Sequence, residues 1–437
     1  MNYRQIAEEI FLAGVESVLP KNLISGRMSL AENVLRLGEF CLPLPAGNIY
    51  VIGAGKASAL MGAEVENILG NRITGGHIVV KYGCSCKLRY INVTEAGHPV
   101  PDSNGFIAAK EILKMSAAAG TDDIVICLIS GGGSSLLSDA PEGCSEEDMI
   151  ILNNLLVNSG ASIIEINAVR KHLSQIKGGQ LARAVYPATL INLILSDVPG
   201  DALEVIASGP TVPDSTTFLQ AMTVLLDYGL LEKVPERILK YLDDGVKGIR
   251  TETPKPGDPI FDKTYNILAG SNKTALEACR TKAIDLNINA VIIDDQLQGD
   301  TTTVADYIVA TALRFKNDND EIKPVCLLFG GETTVRMTGK GTGGRNQHLA
   351  LLAAIQVRDL SGITVLAAGT DGNDGPTDAA GAVVDSATIQ EALLKGLDAE
   401  KFLSDFDSYH FFKKAGGHVK TGPTMTNVMD LIVVLVE

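Results

Sequence analysis

The sequence predicts an α/β protein with two domains, in which sheets are covered by helices. Three observations predict this class. The chain has 437 residues, more than one ordinary hydrophobic core accommodates. Short, almost continuous apolar runs alternate with amphipathic stretches of helical length, which is typical of parallel strands joined by helices. A Pro-rich segment poor in apolar residues, TETPKPGDP (251–259), interrupts this pattern and indicates a domain boundary.

The N-terminal half contains four apolar runs rich in β-branched residues, which predict buried strands. These runs are IYVIGAG (49–55), GHIVVKY (76–82), DIVICLIS (123–130) and LINLILS (190–196). Helical patterns separate them: KASALMGAEVENIL (56–69), SNGFIAAKEILKMSAAAG (103–120) and EEDMIILNNLLV (146–157). Strand and helix therefore alternate, and we expect residues 1–245 to form a Rossmann-like domain with a mostly parallel sheet and helices on both faces.

The C-terminal half repeats the alternation after the boundary. Its predicted strands are TYNILAG (264–270), AVIIDD (290–295), PVCLLFGG (324–331), ITVLAAG (363–369) and LIVVLV (431–436). Two of its helices are predicted by SNKTALEACRTKAID (271–285) and TTTVADYIVATALRF (301–315). We expect residues 258–437 to form a smaller α/β domain with a mixed sheet.

The composition excludes several classes of function. A net charge of −15 disfavours a general nucleic-acid or anionic-membrane surface, so we expect small-molecule substrates as partners. No window approaches the roughly 18 apolar residues of a membrane span. Glu8 and Glu9 interrupt any signal-peptide pattern. The seven cysteines are scattered, and the close pair Cys84 and Cys86 lacks the further ligands of a metal site. We therefore expect a cytoplasmic protein.

The segment LISGGGSSLL (128–137) follows a buried strand directly. Its three glycines free the backbone to turn, so that consecutive N–H groups can form a nest for an anion where a helix begins. The alternative is an ordinary strand-to-helix turn, which two glycines would already allow. The extra glycine and the flanking serines favour phosphate binding. The candidate phosphate-binding residues here are Ser130, Gly131, Gly132, Gly133, Ser134 and Ser135.

The segment VIGAGKASALMG (51–62) also follows a strand, but it matches neither common nucleotide fingerprint. Ser58 occupies the third glycine position of the dinucleotide motif, and Tyr50 the first glycine position of the P-loop. Lys56 remains, at the start of the predicted helix. It is either an exposed lysine on the first turn or the counter-charge of an anion bound at this loop.

Two further strand-end segments carry polar side chains. In NLILSDVPGD (192–201), Asp197 is a candidate general base or Mg²⁺ ligand, since ligands gather beyond the carboxyl ends of parallel strands. Asp201 is more typical of a turn that caps its own backbone. In AGHPVPDSNG (96–105), the prolines around His98 predict a rigid connection, and Asp102 predicts a helix N-cap.

The segment LFGGETTVRMTGKGTGGRNQHLAL (328–351) predicts a strand, a hairpin, a Gly-rich turn and a helix. The guanidinium of Arg345, near the helix start, suits a phosphate or carboxylate held through two hydrogen bonds. Glu332, directly after the strand, and Asp371, in the later segment AAGTDGNDGPTDAAG (367–381), offer the hard oxygen ligands that Mg²⁺ prefers. A turn-rich loop with capping acids is the alternative there. Further candidates for binding the substrate or phosphate are Gly331, Gly343, Gly344, Asn346 and Thr424.

Together these motifs supply anion nests, two cations and several carboxylates, which is what phosphoryl transfer requires. The sequence also resembles the glycerate 2-kinase family, the class II glycerate kinases with a C-terminal MOFRL domain. The resemblance covers nearly the whole chain and is carried by VIGAGKA, EAGHPVPD, LISGGGSSLL, INAVRKHLSQIKGGQLA, LILSDVPGD with ASGPT, LFGGETTV, GKGTGGRNQ, GTDGNDGPTDAAGA and TGPTMTNVMDL.

The resemblance implies ATP-dependent phosphorylation of D-glycerate to 2-phosphoglycerate with a divalent cation, in a cleft between the two domains. The family's key lysine and arginine match Lys56 and Arg345, which would hold the glycerate carboxylate and the transferring phosphoryl in an order that stays open. Asp197 would take the C2 hydroxyl proton, and Glu332 or Asp371 would help to hold Mg²⁺. Two alternatives remain: an NAD(P)H-dependent hydroxypyruvate reductase, which the missing dinucleotide fingerprint disfavours, and a non-catalytic phosphometabolite-binding protein. A homodimer stays open.

Overall fold

The computed structural model describes residues 2–44, 46–318, 323–336 and 339–437. Contacts within the chain group its residues into two compact units. We name them the N-terminal unit, which is Leu23–Ser196 with Asp201–Ala269, and the C-terminal unit, which is Met1–Asn22 with Asp197–Gly200 and Gly270–Glu437. Among the described residues, every helix is too short or too polar to span a lipid bilayer.

The N-terminal unit contains a small antiparallel sheet and a large sheet. The small sheet consists of β1 (Met28–Ala31), β2 (Val34–Leu37) and β3 (Phe40–Pro43). The large sheet consists of β4 (Ile49–Ala54), β5 (Gly75–Lys81), β6 (Ile91–Ala96), β7 (Ile124–Ile129), β8 (Thr189–Leu195) and β9 (Thr264–Gly270). Its order is β6-β5-β4-β7-β8-β9, and every pair from β6 to β8 is parallel. The carboxyl ends of these five strands therefore lie at one edge.

Helices cover this sheet because the segments between the strands have one apolar face. After α1 (Tyr3–Ser17) and α2 (Pro20–Arg27), the helices are α3 (Ser58–Leu69), α4 (Ser103–Ala118), α5 (Gly133–Leu136), α6 (Glu146–Val157), α7 (Ile163–His172), α8 (Gln180–Val185), α9 (Phe218–Asp227) and α10 (Glu236–Val246). A capping box between Ser145 and Asp148 starts α6 where the sequence predicts it. Helices α6, α7, α9 and α10 share a core with Phe106 of α4.

The C-terminal unit is a second six-stranded sheet with helices. Its strands are β10 (Asn289–Asp300), β11 (Val325–Thr334), β12 (Ile363–Gly369), β13 (Gly381–Asp385), β14 (His418–Val419) and β15 (Asp430–Val436). Their order is β10-β11-β15-β12-β13-β14, where only β10 and β11 pair in parallel. Its later helices are α11 (Asn272–Asp285), α12 (Thr301–Asn317), α13 (Arg345–Val357), α14 (Thr388–Leu394), α15 (Ala399–Ser404) and α16 (Ser408–Ala415).

The central strands β12 and β15 are buried along their whole length, and α13, which has ten buried residues, packs on β12 and β13. The structure thus confirms the predicted α/β class, with a mostly parallel sheet in one unit and a mixed sheet in the other. The predicted hairpin after β11 is not formed by residues 335–336 and 339–344, and residues 337 and 338 lie outside the described residues.

The two units divide the chain differently from the predicted boundaries of 1–245 and 258–437. Helix α1 belongs to the C-terminal unit because it packs closely on α11: a Cβ on Gly14 would meet Sγ of Cys279. The hydroxyl of Thr426 also donates to the carbonyl of Val18 at the end of α1, at 2.6 Å. Strand β9, expected in the second half, instead adjoins β8 in the sheet of the N-terminal unit.

Candidate active site

The carboxyl edge of the parallel sheet positions Lys56 through a junction between two loops. The loop after β4 meets the loop after β7, its neighbour in the sheet. The backbone N–H of Lys56 donates to the carbonyl of Gly131 at 2.9 Å, and that of Ala57 donates to Oγ of Ser130 at 3.0 Å. Within the described residues, no hydrogen bond or ion pair holds the side chain of Lys56, which is half-buried. Lys56 is thus fixed by its backbone and keeps its ammonium group available.

Ser130 links these loops from inside the protein. It is 2% exposed, and its Oγ lies 3.0 Å from Oγ of Ser58, which donates to the carbonyl of Leu128. Gly55 comes so close to Ser130 that a Cβ there would overlap its hydroxyl. The hydroxyl of Ser130 therefore holds the loops together, whereas the sequence suggested that it binds phosphate directly.

The Gly-rich loop after β7 turns through Gly132, whose φ of +84° suits glycine. Gly133 starts α5, a helix of only four residues, so the helix itself adds little positive potential. Its serines are engaged within the protein: Oγ of Ser134 lies 2.8 Å from Oγ of Ser208, and Oγ of Ser135 donates to the carbonyl of Gly132 at 3.2 Å. The backbone of the loop, rather than its hydroxyl groups, is the part suited to hold an anion.

Asp197 lies two residues beyond β8. It is half-buried, and it follows Ser196, which has no exposed surface. Its contacts place it with residues 198–200 in the C-terminal unit.

In the C-terminal unit, Arg345 is the first residue of α13 and is held by two carboxylates. Its Nε and Nη2 donate to the two oxygens of Asp430 at 2.6 and 3.0 Å, and its Nη1 donates to Glu332 at 2.5 Å. Asp430, at the start of β15, is 2% exposed, whereas the side chain of Glu332, on β11, is 44% exposed. Burial lowers the pKa of Arg345, but the three nearby acids Asp430, Glu332 and Asp374 outweigh it and raise the pKa.

Asp374 caps the start of α13 and so fixes Arg345 in place. Its carboxylate accepts from the backbone N–H groups of Asn346 and Gln347 at 3.0 and 2.8 Å. Burial and the nearby charge of Asp430 raise its pKa to about 6, against the opposing effect of those two hydrogen bonds. The amide of Asn346 donates to Asp430 at 2.9 Å, which connects the cap to the arginine site.

The Gly-rich stretch before Arg345 is explained by packing within the protein. A Cβ on Gly344 would overlap the carboxylate of Asp374, and a Cβ on Gly343 would overlap the hydroxyl of Ser408. Gly331, at φ +145°, similarly leaves no room for a side chain beside the carbonyl of Leu297. These glycines let the loop approach its neighbours closely enough to deliver Arg345 to Asp430.

Asp371 belongs to a second group of oxygen atoms, around Gly369. A Cβ on Gly369 would lie 3.2 Å from Oδ1 of Asp371, 3.2 Å from the carbonyl of Asn373 and 3.5 Å from Oδ1 of Asp430. Thr424 contacts this group through its backbone, because its N–H donates to the carbonyl of Asp371 at 3.2 Å. Its hydroxyl donates to the carbonyl of Thr370.

These oxygens suit a hard divalent cation, although no cluster of three metal-binding side chains occurs in the described ranges. A magnesium ion carried by a nucleotide needs only one or two carboxylates from the protein, so Asp371 fits it. Asp430 fits less well, because both of its oxygens accept from Arg345. Glu332 fits less well, because its carboxylate pairs with Arg345.

Sequence reasoning missed two residues that organise the arginine site. Asp430 directly precedes the continuous apolar run LIVVLV, and an acid at the first position of a buried strand is the signal that could have found it. Asp374 is separated by 27 residues from Gln347, whose backbone it caps, so no local pattern indicates the contact.

Comparisons with known proteins agree with this architecture. A family model described as a domain of unknown function, DUF4147, matches residues 6–243, and the MOFRL family model matches residues 325–430. A Pyrococcus horikoshii protein named glycerate 2-kinase is 44% identical over 100% of this chain and 98% of its own length. A Thermotoga maritima protein named D-glycerate 2-kinase is 39% identical over 99% of this chain and 98% of its own length.

A solved structure agrees as well. The crystal structure of glycerate kinase from Thermotoga maritima matches with a TM-score of 0.89 and 38% identity, covering 100% of this chain and 99% of that one. The chain therefore belongs to the glycerate 2-kinase family, with a DUF4147 region followed by a MOFRL region.

Proposed function

We propose that this protein transfers the γ-phosphoryl group of ATP to the C2 hydroxyl of D-glycerate and releases 2-phosphoglycerate and ADP. In this reaction the C2 oxygen forms a bond to the γ-phosphorus, the bond from that phosphorus to the β–γ bridging oxygen breaks, and the hydroxyl proton passes to a base. Full-length similarity to proteins named glycerate 2-kinase supports the proposal. The observation that carries it is the guanidinium of Arg345, fixed on one side by Asp430 and paired on the other with the half-exposed Glu332.

Arg345 can exchange one partner for a substrate anion without losing its position. Asp430 holds Nε and Nη2 from a buried site, so the orientation of the guanidinium persists. Glu332 holds only Nη1 and is accessible to solvent. A carboxylate or phosphoryl oxygen that displaces Glu332 gains a charge-assisted hydrogen bond to an arginine that is already oriented.

Lys56 supplies the second cation, with a backbone fixed by the β4 and β7 loops. The backbone of Gly131, Gly132 and Gly133 would bind an anionic oxygen beside it. Asp197 would accept the C2 hydroxyl proton.

Mg²⁺ would be held by Asp371, with Glu332 as a further carboxylate once Arg345 has exchanged it. When bound, the ion would neutralise charge on the β- and γ-phosphate oxygens. The seven cysteines are all free thiols, which supports a reducing, cytoplasmic environment for the reaction.

The test is a coupled assay with D-glycerate and Mg-ATP, in which phosphorus NMR identifies the phosphorylated position. We expect 2-phosphoglycerate, and no oxidation of NADH or NADPH with hydroxypyruvate. Lys56→Ala and Arg345→Ala should each lower turnover by roughly 10³-fold, the effect of removing a cation from a phosphoryl-transfer site. Lys110→Ala on α4 and Arg4→Ala on α1 are matched controls and should leave it unchanged. Near-normal turnover in either site variant would contradict the assigned role.

A further inference from the structure

The loop after β6, residues 97–102, meets the Gly-rich loop after β7. We call it the His98 loop. A Cβ built on Gly132 would lie 2.8 Å from both Nε2 and Cδ2 of His98, so the imidazole edge rests on the Gly-rich loop. Gly132 follows β7, and the order β6-β5-β4-β7 separates the two loops by three strand spacings, about 14 Å. The two loops therefore meet across the carboxyl ends of β5 and β4, and Lys56 follows β4.

The His98 loop is held in this position by hydrogen bonds at its far end. Oη of Tyr82, directly after β5, donates to Asp102 at 2.7 Å, and Asp102 caps α4 by accepting from the N–H of Gly105 at 3.2 Å. The amide of Asn104 donates to the carbonyl of Glu95 at 3.1 Å. The N-cap that the sequence predicts at Asp102 is confirmed, and the loop that it ends places an imidazole beside Gly132.

The electrostatic surroundings keep this imidazole neutral. Burial, together with the positive charges of Lys56 and Lys81, lowers the pKa of His98 to about 4. Lys56 comes from the β4 loop and Lys81 from the end of β5, while residues 130–135 of the β7 loop carry no titratable side chain. On its own loop, Asp102 is bound by Tyr82. A neutral imidazole beside two ammonium groups offers one N–H donor without adding a charge that must itself be compensated.

We propose that His98 is a further substrate-contacting residue, whose Nε2 edge donates a hydrogen bond to an anionic oxygen bound between Lys56 and the Gly131–Gly133 backbone. The inference rests on the proposed function. The oxygen belongs either to a phosphate of ATP or to the carboxylate of D-glycerate, which present the same chemistry to a neutral donor. His98 thus fixes the orientation of the anion, and the lysines balance its charge.

Three variants test the inference by steady-state kinetics, with each substrate varied in turn. His98→Leu keeps the size of the side chain and removes the donor, and it should raise KM for one substrate by about 10- to 100-fold, the range for a hydrogen bond to a charged group. His98→Gln carries an amide donor to about the position of Nε2 and should recover most of that loss. Tyr82→Phe removes the loop's anchor but keeps the imidazole, and KM should stay within about threefold of the unaltered value. The substrate whose KM changes identifies the source of the oxygen.

Calorimetric titration of ATP and of D-glycerate separates this inference from the proposed function. If the unaltered chain does not phosphorylate D-glycerate, the proposed function is wrong, and weaker binding of either ligand to His98→Leu would still support the contact. Unchanged binding of both ligands to His98→Leu would overturn the inference. Equal losses in the Leu and Gln variants would overturn it too, because they would show that packing matters and the donor does not. If His98→Leu fails to fold, His98→Asn takes its place in the comparison with His98→Gln, because the shorter Asn side chain does not carry its amide as far as the position of Nε2.

Discussion

Asp430→Asn tests whether a buried carboxylate holds Arg345 in its working position. The substitution keeps the shape of the side chain but removes the charge that faces Nε and Nη2 of Arg345. Losing one member of a fully buried ion pair costs about 3–5 kcal/mol. Arg345 is 31% exposed and retains Glu332, so we expect a smaller loss in the free energy of unfolding, about 2 kcal/mol. The orientation of the guanidinium should be lost as well, so kcat should fall by about 10²-fold.

Urea denaturation and steady-state kinetics measure the two effects. The matched control is Asp385→Asn, which removes an equivalent carboxylate: Arg4 donates to Asp385 through Nε at 2.7 Å and through Nη2 at 2.5 Å. The side chains of Arg4 and Asp385 are each 27% exposed. The control substitution should therefore lower the free energy of unfolding by less than about 1 kcal/mol and leave kcat unchanged. Equal stability losses at the two sites, or unchanged kcat in Asp430→Asn, would refute the reasoning.

Three further predictions concern the loops that position the cations. Because the pKa of Asp374 is raised to about 6, its ionisation opposes folding. Relative to Asp374→Asn, the unfolding free energy of the unaltered chain should therefore fall by roughly 3 kcal/mol between about pH 4 and about pH 7. An equal pH dependence of both proteins in urea titrations would contradict this. Ser130→Ala leaves the buried N–H of Ala57 without its acceptor and should cost about 1–3 kcal/mol, measured by urea denaturation, whereas no loss would mean that the hydroxyl does not tie the loops together. Gly132→Ala introduces a side chain at φ +84° against the ring of His98 and should lower the melting temperature, and His98→Ala in the same chain should restore only part of the loss.

The sequence predicted the strands that are buried on both faces. Strands β7 and β8 form nearly continuous apolar runs because both of their faces are buried. Strand β6 was missed, since its residues INVTEA are mostly half-buried at an edge of the sheet and carry no such run. Strand β9 was identified as a strand but expected in the wrong half, because a local pattern does not specify which sheet a strand joins.

The arginine site shows the same limit for function. The cluster GKGTGG suggested a loop that curls around an anion beside Arg345, but in the structure its last two glycines allow close packing against Asp374 and Ser408. The partner that orients the arginine, Asp430, lies 85 residues further along the chain, so local spacing does not indicate the contact. Residue types and their spacing therefore indicated a candidate cation, whereas the contacts that orient it depend on tertiary structure.

The placement of α1 has a consequence for how the chain acquires its structure during synthesis. This helix leaves the ribosome before the whole N-terminal unit, yet its partner α11 emerges only afterwards. Its apolar face includes Ala7, Ile10 and Phe11, which are fully buried in the folded protein. During that interval this face lacks its partner helix and is exposed unless another surface covers it. A fragment that starts at residue 258 would lack this helix and leave Cys279 of α11 uncovered, so we expect it to aggregate unless residues 1–22 are supplied as a peptide.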